Sequence, residues 1–168
     1  MPEHARFFGL IQIKAQTLRD LLVALPRTSD EMTPAESTSE APTIEVTPYD
    51  LIGGEATVRR LADRFYEIMD ADPGARRIRA MHGEDLAPIR QLLFEFLSGW
   101  LGGPPLYFNR PEHRCIMSAH RPYTIGDAER GEWMMCMRSA MDECELPTEM
   151  RALLDRGFLR MANALGSR

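Results

Sequence analysis

From Tyr49 onward the apolar residues recur at helical spacing. Val58, Leu61, Ala62, Phe65 and Met69 form an i, i+3, i+4 stripe and predict an amphipathic helix after Gly53-Gly54. Asp72-Pro73-Gly74 breaks it, and a short basic segment runs from Ala75 to Met81. Leu86, Ile89, Leu93, Phe96, Leu97 and Trp100 make a second stripe, stopped by Gly102-Gly103-Pro104-Pro105. Residues 105–125 carry a weaker pattern, Leu106, Cys115, Ile116 and Ala119, between turn-forming residues. Asp127 is the expected N-cap of a third stripe, Trp133, Met137, Ala140, Met141 and Cys144, which runs to Pro147. A capping box would place Glu where Arg130 stands. Met150, Leu153, Leu154, Phe158, Met161, Ala162 and Leu165 define the last helix. No stretch alternates apolar and polar long enough for a strand, so the pattern predicts an all-α domain of four main helices plus short ones.

Residues 1–48 differ in kind from 49–168, and the two are read as an N-terminal extension and one folded domain. Segment 28–48 is rich in Pro, Ser, Thr and Glu and nearly free of large apolar residues. Such a composition cannot offset the entropy of ordering, so a disordered linker is expected. Before it, Leu10, Ile13, Leu18, Leu21, Leu22 and Leu25 suit a short amphipathic helix over 7–25. That segment reads as a surface helix or as sequence upstream of a start at Met32; docking to a partner or a membrane surface is the other reading. Arg6, Lys14 and Arg19 are few charges for anionic lipid.

Composition narrows the function. Of 168 residues 44% are hydrophobic and 27% charged, which is ordinary for a globular chain, and the net charge is −5. That sign argues against a nucleic-acid binder working through bulk positive charge. No apolar run is long enough to span a membrane, and the start lacks the features of a secretory signal. Cys115, Cys136 and Cys144 form no CxxC pair; a reducing, cytoplasmic setting is expected. His82, His113 and His120 are separated by 30 and 6 residues, unlike zinc ligands. There is no GxSxG, GxGxxG or P-loop. What remains is a pair of polar aromatics, Tyr66 and Trp133, on or beside apolar faces. Buried phenol and indole groups need partners, either backbone carbonyls or a ligand in a shared cavity.

Read in order, the motifs resemble the truncated haemoglobins, and among them the second group, marked by a distal tryptophan. Ile52-Gly53-Gly54-Glu55 is similar to the first glycine motif, and Arg64-Phe65-Tyr66 to the Phe-Tyr pair over the haem. Phe96-Leu97-Ser98-Gly99-Trp100-Leu101-Gly102-Gly103-Pro104, with Leu106-Tyr107, resembles the second glycine motif and its leading helix. His113, His120-Arg121-Pro122-Tyr123 and Ile125-Gly126 resemble the proximal segment, and Glu129-Arg130 with Trp133 the start of the next helix. The ordered set spans about 120 residues.

The resemblance implies a two-over-two helical sandwich around haem b, with a proximal histidine on the iron and the opposite side open to O₂. It makes His120 the metal ligand. Tyr66 and Trp133 become distal donors and His82 a third, with Met81 the competing residue at that position. Ile89 takes the place where many globins keep a distal histidine. Leu93 and Phe96 wall the pocket, and Ile116 lies beneath the haem. Many relatives carry Arg before the proximal histidine; here Ala119 stands there, leaving Arg114 and Arg121 as candidates for the haem propionates.

Bound O₂ gathers negative charge, and donors in a dry pocket stabilise it, each by about 1–3 kcal/mol. Slow release suits chemistry better than delivery. The reading is therefore a haem protein that binds O₂, NO or CO and acts as a nitric oxide dioxygenase or on peroxide, supplied by a reductase. A non-catalytic O₂ carrier or gas sensor, and a haem-free helical interaction protein, stand beside it.

Overall fold

The computed structural model of the chain describes residues 46–112 and 115–166. The helix expected at 7–25, most of the linker, His113 and Arg114 lie outside the described residues. The helices are α1 (Pro48–Leu51), α2 (Gly54–Ala71), α3 (Arg76–Ala80), α4 (Ala87–Trp100), α5 (Ile116–His120), α6 (Asp127–Glu143) and α7 (Thr148–Leu165). Among the described residues four helices are long, as the stripes predict, and the others are short.

The stripe of α2 buries Val58, Leu61, Ala62, Phe65, Tyr66 and Met69. This face packs against α4 on one side and α6 on the other, while α6 also packs against α7. Trp100 of α4 stacks on Phe158 of α7, centroids 4.9 Å apart. The pair α2–α4 thus lies across the pair α6–α7, with Phe65, Leu97, Met137, Leu154 and Phe158 fully buried between them. Truncating one such phenylalanine to alanine typically costs about 3–5 kcal/mol.

Local chemistry sets the ends. Thr47 Oγ1 accepts from Asp50 N at 3.2 Å, and Asp50 Oδ2 accepts from Thr47 N at 2.9 Å, a reciprocal cap that starts α1. Gly102 ends the α4 turn at φ 90°, and a Cβ on Gly103 would sit 2.5 Å from the Tyr49 ring. Only glycines let α1 close against the foot of α4, where Tyr49 N donates to Leu101 O at 3.0 Å. Asp72 Oδ1 accepts from Gly74 N at 2.7 Å and turns the chain from α2 into the 3₁₀ turn Pro73–Ala75. One expectation is corrected: Asp127 is the first helical residue of α6, and Gly126 is its cap. Glu129, two residues into the helix from Asp127, reaches back to accept from Gly126 N at 2.8 Å. The carboxylate comes from inside the helix because the cap residue has no side chain.

Two further ties shape the interior. Glu132 on α6 accepts from Arg77 N at 2.9 Å and Ile78 N at 3.1 Å. An α6 side chain therefore satisfies the open N–H groups at the start of α3. Buried Glu95 on α4 is gripped through two oxygens by Arg110 and accepts from Gln91 at 2.8 Å. Arg110 and Gln91 hold its carboxyl below the usual carboxylate range. The fork ties the loop after α4 back to the helix.

Candidate functional site

A cavity of about 290 Å³ opens between α2, α4, α5, α6 and the end of α7. Tyr66 from α2 and Trp133 from α6 line it, with Ile89, Leu93 and Phe96 from α4 and Ile116 and His120 from α5. Met81 and His82 follow α3 and line it as well. Every described residue singled out from the sequence reaches this one cavity except Arg121, which is exposed and off the lining.

The two histidines are presented in the same way. His120 Nδ1 lies 2.7 Å from Ile116 O, and His82 Nδ1 lies 2.7 Å from Ile78 O. A carbonyl only accepts, so in each neutral ring Nδ1 carries the proton and Nε2 carries the free lone pair. For His120 that is the state a metal-ligating imidazole needs: one nitrogen held by a backbone oxygen, the other free to coordinate. Burial, with smaller contributions from Arg79 and His120, holds His82 below the ordinary imidazole range despite its backbone bond. At neutral pH His82 is therefore uncharged.

Tyr66 and Trp133 stand differently. Among the described residues neither the Tyr66 hydroxyl nor the Trp133 indole N–H makes a hydrogen bond, yet the structure leaves no buried side-chain oxygen or nitrogen unpartnered. Both groups therefore reach the open volume of the cavity. Burial pushes the Tyr66 phenol well above its usual range, which keeps it protonated as a donor. Phe65 fixes the Trp133 ring from behind at 5.4 Å, and Phe158 meets it edge-on at 5.8 Å. Tyr66 meets His82 edge-on at 5.7 Å. The Phe65–Trp133 and Tyr66–His82 contacts pack the pocket's polar rings against neighbouring rings.

Sequence reasoning missed part of the wall. Arg130 and Glu129 line the cavity beside Tyr107, Tyr123 and Ile125, and Met161 and Leu165 of α7 close it. Arg130 is half-buried, donates to Ile125 O at 3.4 Å and pairs with the fully exposed Asp127. The α7 residues lay in the apolar stripe, and nothing in a stripe tells core from cavity wall. The cysteines take no part: Cys136 is buried, which pushes its thiol up to about 11.

The lining thus brings together two imidazoles held by backbone carbonyls, a phenol and an indole without hydrogen-bond partners among the described residues, and a largely apolar remainder. Such a slot fits a flat, largely apolar metal macrocycle that carries a small ligand on its far face. The comparisons agree. A family profile described as bacterial-like globin matches residues 47–165. The group 2 truncated hemoglobin YjbI of Bacillus subtilis (strain 168) is 34% identical over 107 residues, 64% of this chain and 78% of that one. The cold-adapted truncated hemoglobin of the Antarctic marine bacterium Pseudoalteromonas haloplanktis TAC125 superposes with a TM-score of 0.70 at 39% identity, covering 73% of this chain and 99% of that one. The group II 2-on-2 hemoglobin of the plant pathogen Agrobacterium tumefaciens gives 0.69 at 40% identity, with 78% and 98% covered. Proteins of this family hold haem, usually haem b, and bind small gases, and the residues of this cavity fit that group. The chain belongs to the bacterial-like globins and, within them, to the group II truncated haemoglobins.

Proposed function

We propose that this globin holds O₂ at haem for chemistry with nitric oxide or peroxide, with His120 as the iron ligand and Trp133 and Tyr66 as the groups that retain the gas. When bound, haem supplies an iron that coordinates a diatomic gas and shifts electron density onto it. The chain supplies the rest. Ile116 O holds the His120 ring by its Nδ1–H, which fixes the tautomer and raises the basicity of Nε2. Trp133 and Tyr66 donate to the charge that builds on the gas, in a pocket where Ile89, Leu93 and Phe96 exclude water. Arg130 lines the same cavity and offers a cation to the carboxylates of the porphyrin edge. Arg121, next to the ligand in sequence, is a second and exposed candidate, and Arg114 a third by sequence alone.

The observation that carries this reading is the presence in one cavity of a backbone-held imidazole and two donors that have no hydrogen-bond partner among the described residues. Hemin titration of the purified chain tests it. A Soret band should grow to one equivalent, and His120→Ala should abolish it or leave haem weakly held. Full retention with an unchanged spectrum in His120→Ala would remove the ligand assignment. Stoichiometric nitrate from the oxygenated protein and nitric oxide, sustained by an added reductant, separates turnover from a carrier or sensor.

A further inference from the structure

We infer that Glu132 is a positioning residue for the gas pocket: it holds the α3 wall of the cavity against the helix that carries Trp133, and so sets how fast a gas retained there leaves. The effect on release rests on the haem reading above; the tie itself rests on the chain alone.

Five residues make α3, too few for a helix to stand by itself. Its first N–H groups need acceptors from outside the helix. A cap side chain ordinarily supplies one, but the cap residue here is Ala75, which has no acceptor to offer. Glu132 of α6 takes over that task, 54 positions beyond Ile78. One of its oxygens, Oε2, accepts from Arg77 N at 2.9 Å and from Ile78 N at 3.1 Å. The other, Oε1, faces Arg77 Nε at 3.4 Å. The Glu132 side chain is 14% exposed, so these bonds are sheltered from water. A second tie, Arg79 to Asp70 of α2 at 2.7 Å, places its carboxylate at a side chain 59% exposed, where an ion pair contributes little.

Glu132 is not on the cavity lining, but what it holds is. Ile78 lines the cavity from within α3, and Met81 and His82 line it immediately after. On the other side of the tie, Trp133 is the next residue along α6. Successive helical residues point about 100° apart, so Glu132 meets α3 while Trp133 turns to the cavity. One carboxylate thus fixes the spacing between the α3 wall and the indole. Without it, α3 keeps the burial of Ile78 and an exposed ion pair. The wall then moves outward and water enters a pocket whose donors act best when dry.

Hydrogen exchange of the full chain reads the tie. Glu132→Ala should speed exchange at the Arg77 and Ile78 amides by about tenfold more than at Phe65 in the core, the loss of one hydrogen bond. Leu153→Ala destabilises the core from α7, off the cavity lining, and should not single those amides out. The pocket is read in the haem-loaded protein, well below the melting temperature of every variant. O₂ release in Glu132→Ala should speed by about three- to tenfold, and in Leu153→Ala it should stay within about twofold of the parent. Glu132→Gln keeps an oxygen for the two amides and should restore most of the protection and most of the parental rate. The proposal is overturned if exchange at Arg77 and Ile78 follows that of Phe65 in Glu132→Ala, or if O₂ release there is unchanged. It is equally overturned if Leu153→Ala speeds release as much, or if Glu132→Gln behaves as Glu132→Ala. Failure of the parent chain to take up hemin would count against the haem reading, and with it the effect on release; exchange would still decide whether Glu132 holds the wall.

Discussion

Replacing Trp133 by phenylalanine removes the indole N–H together with part of the ring and keeps an aromatic side chain. The phenyl ring keeps an aromatic surface against Phe65, now 5.4 Å away, and Phe158, now 5.8 Å away. What disappears is the indole N–H, which no described residue engages. A hydrogen bond to a charged or strongly polarised acceptor contributes about 1.5–3 kcal/mol. At about 1.4 kcal/mol per factor of ten, O₂ release should speed by roughly 10- to 150-fold. The smaller ring leaves a void, so a stability loss of order 1 kcal/mol is also expected. A thermal melt of the haem-loaded variant measures that part separately. The release rate itself is read by mixing the oxygenated protein with excess CO in a stopped flow and following the replacement optically. Release within twofold of the parent, in a variant that still holds haem, would refute the role given to Trp133. The effect should also be non-additive with Tyr66→Phe, because both groups address one ligand.

Glu132→Ala should lower the melting temperature by roughly 5–12 °C, because it strips an ionised acceptor worth about 2 kcal/mol from two backbone N–H groups. Glu132→Gln should recover part of that loss, and a melt compares the three. The Glu95–Arg110 fork makes stability depend on pH with a definite sign. The folded-state pKa of Glu95 is depressed, so its contribution is in place above the ordinary carboxylate range and is lost as pH falls through the folded value. Denaturant midpoints of the parent should therefore fall more steeply on acidification than those of Arg110→Met, and parallel curves would deny the fork a role. Removing residues 1–46 should leave hemin binding intact, and loss of the Soret band on truncation would make the extension part of the haem-binding unit.

Most of the fold is readable as periodicity. The stripes over α2, α4, α6 and α7 place helices where they occur, because each has one face to bury and a Gly or Pro signal at its end. The site is readable only in part. Tyr66 and Trp133 draw notice as polar aromatics beside apolar stripes, and the ordered motifs single out His120 and His82. What no local pattern contains is the set of long-range ties. Glu132 reaches residues more than fifty positions earlier, Glu95 meets Arg110 across a turn, and Arg130 faces the cavity because α6 happens to begin there. The start of α6 shows the same limit on a small scale: Asp127 has the right chemistry for a cap, but a glycine takes the position and Glu129 supplies the oxygen. Choosing between them requires the backbone path.

Both imidazoles of the pocket are steadied by oxygens of the main chain, Ile116 O and Ile78 O, not by the side chains of other residues. A side-chain brace can be deleted by one nucleotide change; a peptide oxygen persists through any replacement that leaves the helix turn in place. The walls of the pocket are therefore free to drift in size and shape across generations while the two rings keep their poise. Lining residues can then be exchanged without disturbing the backbone contacts that set the two rings.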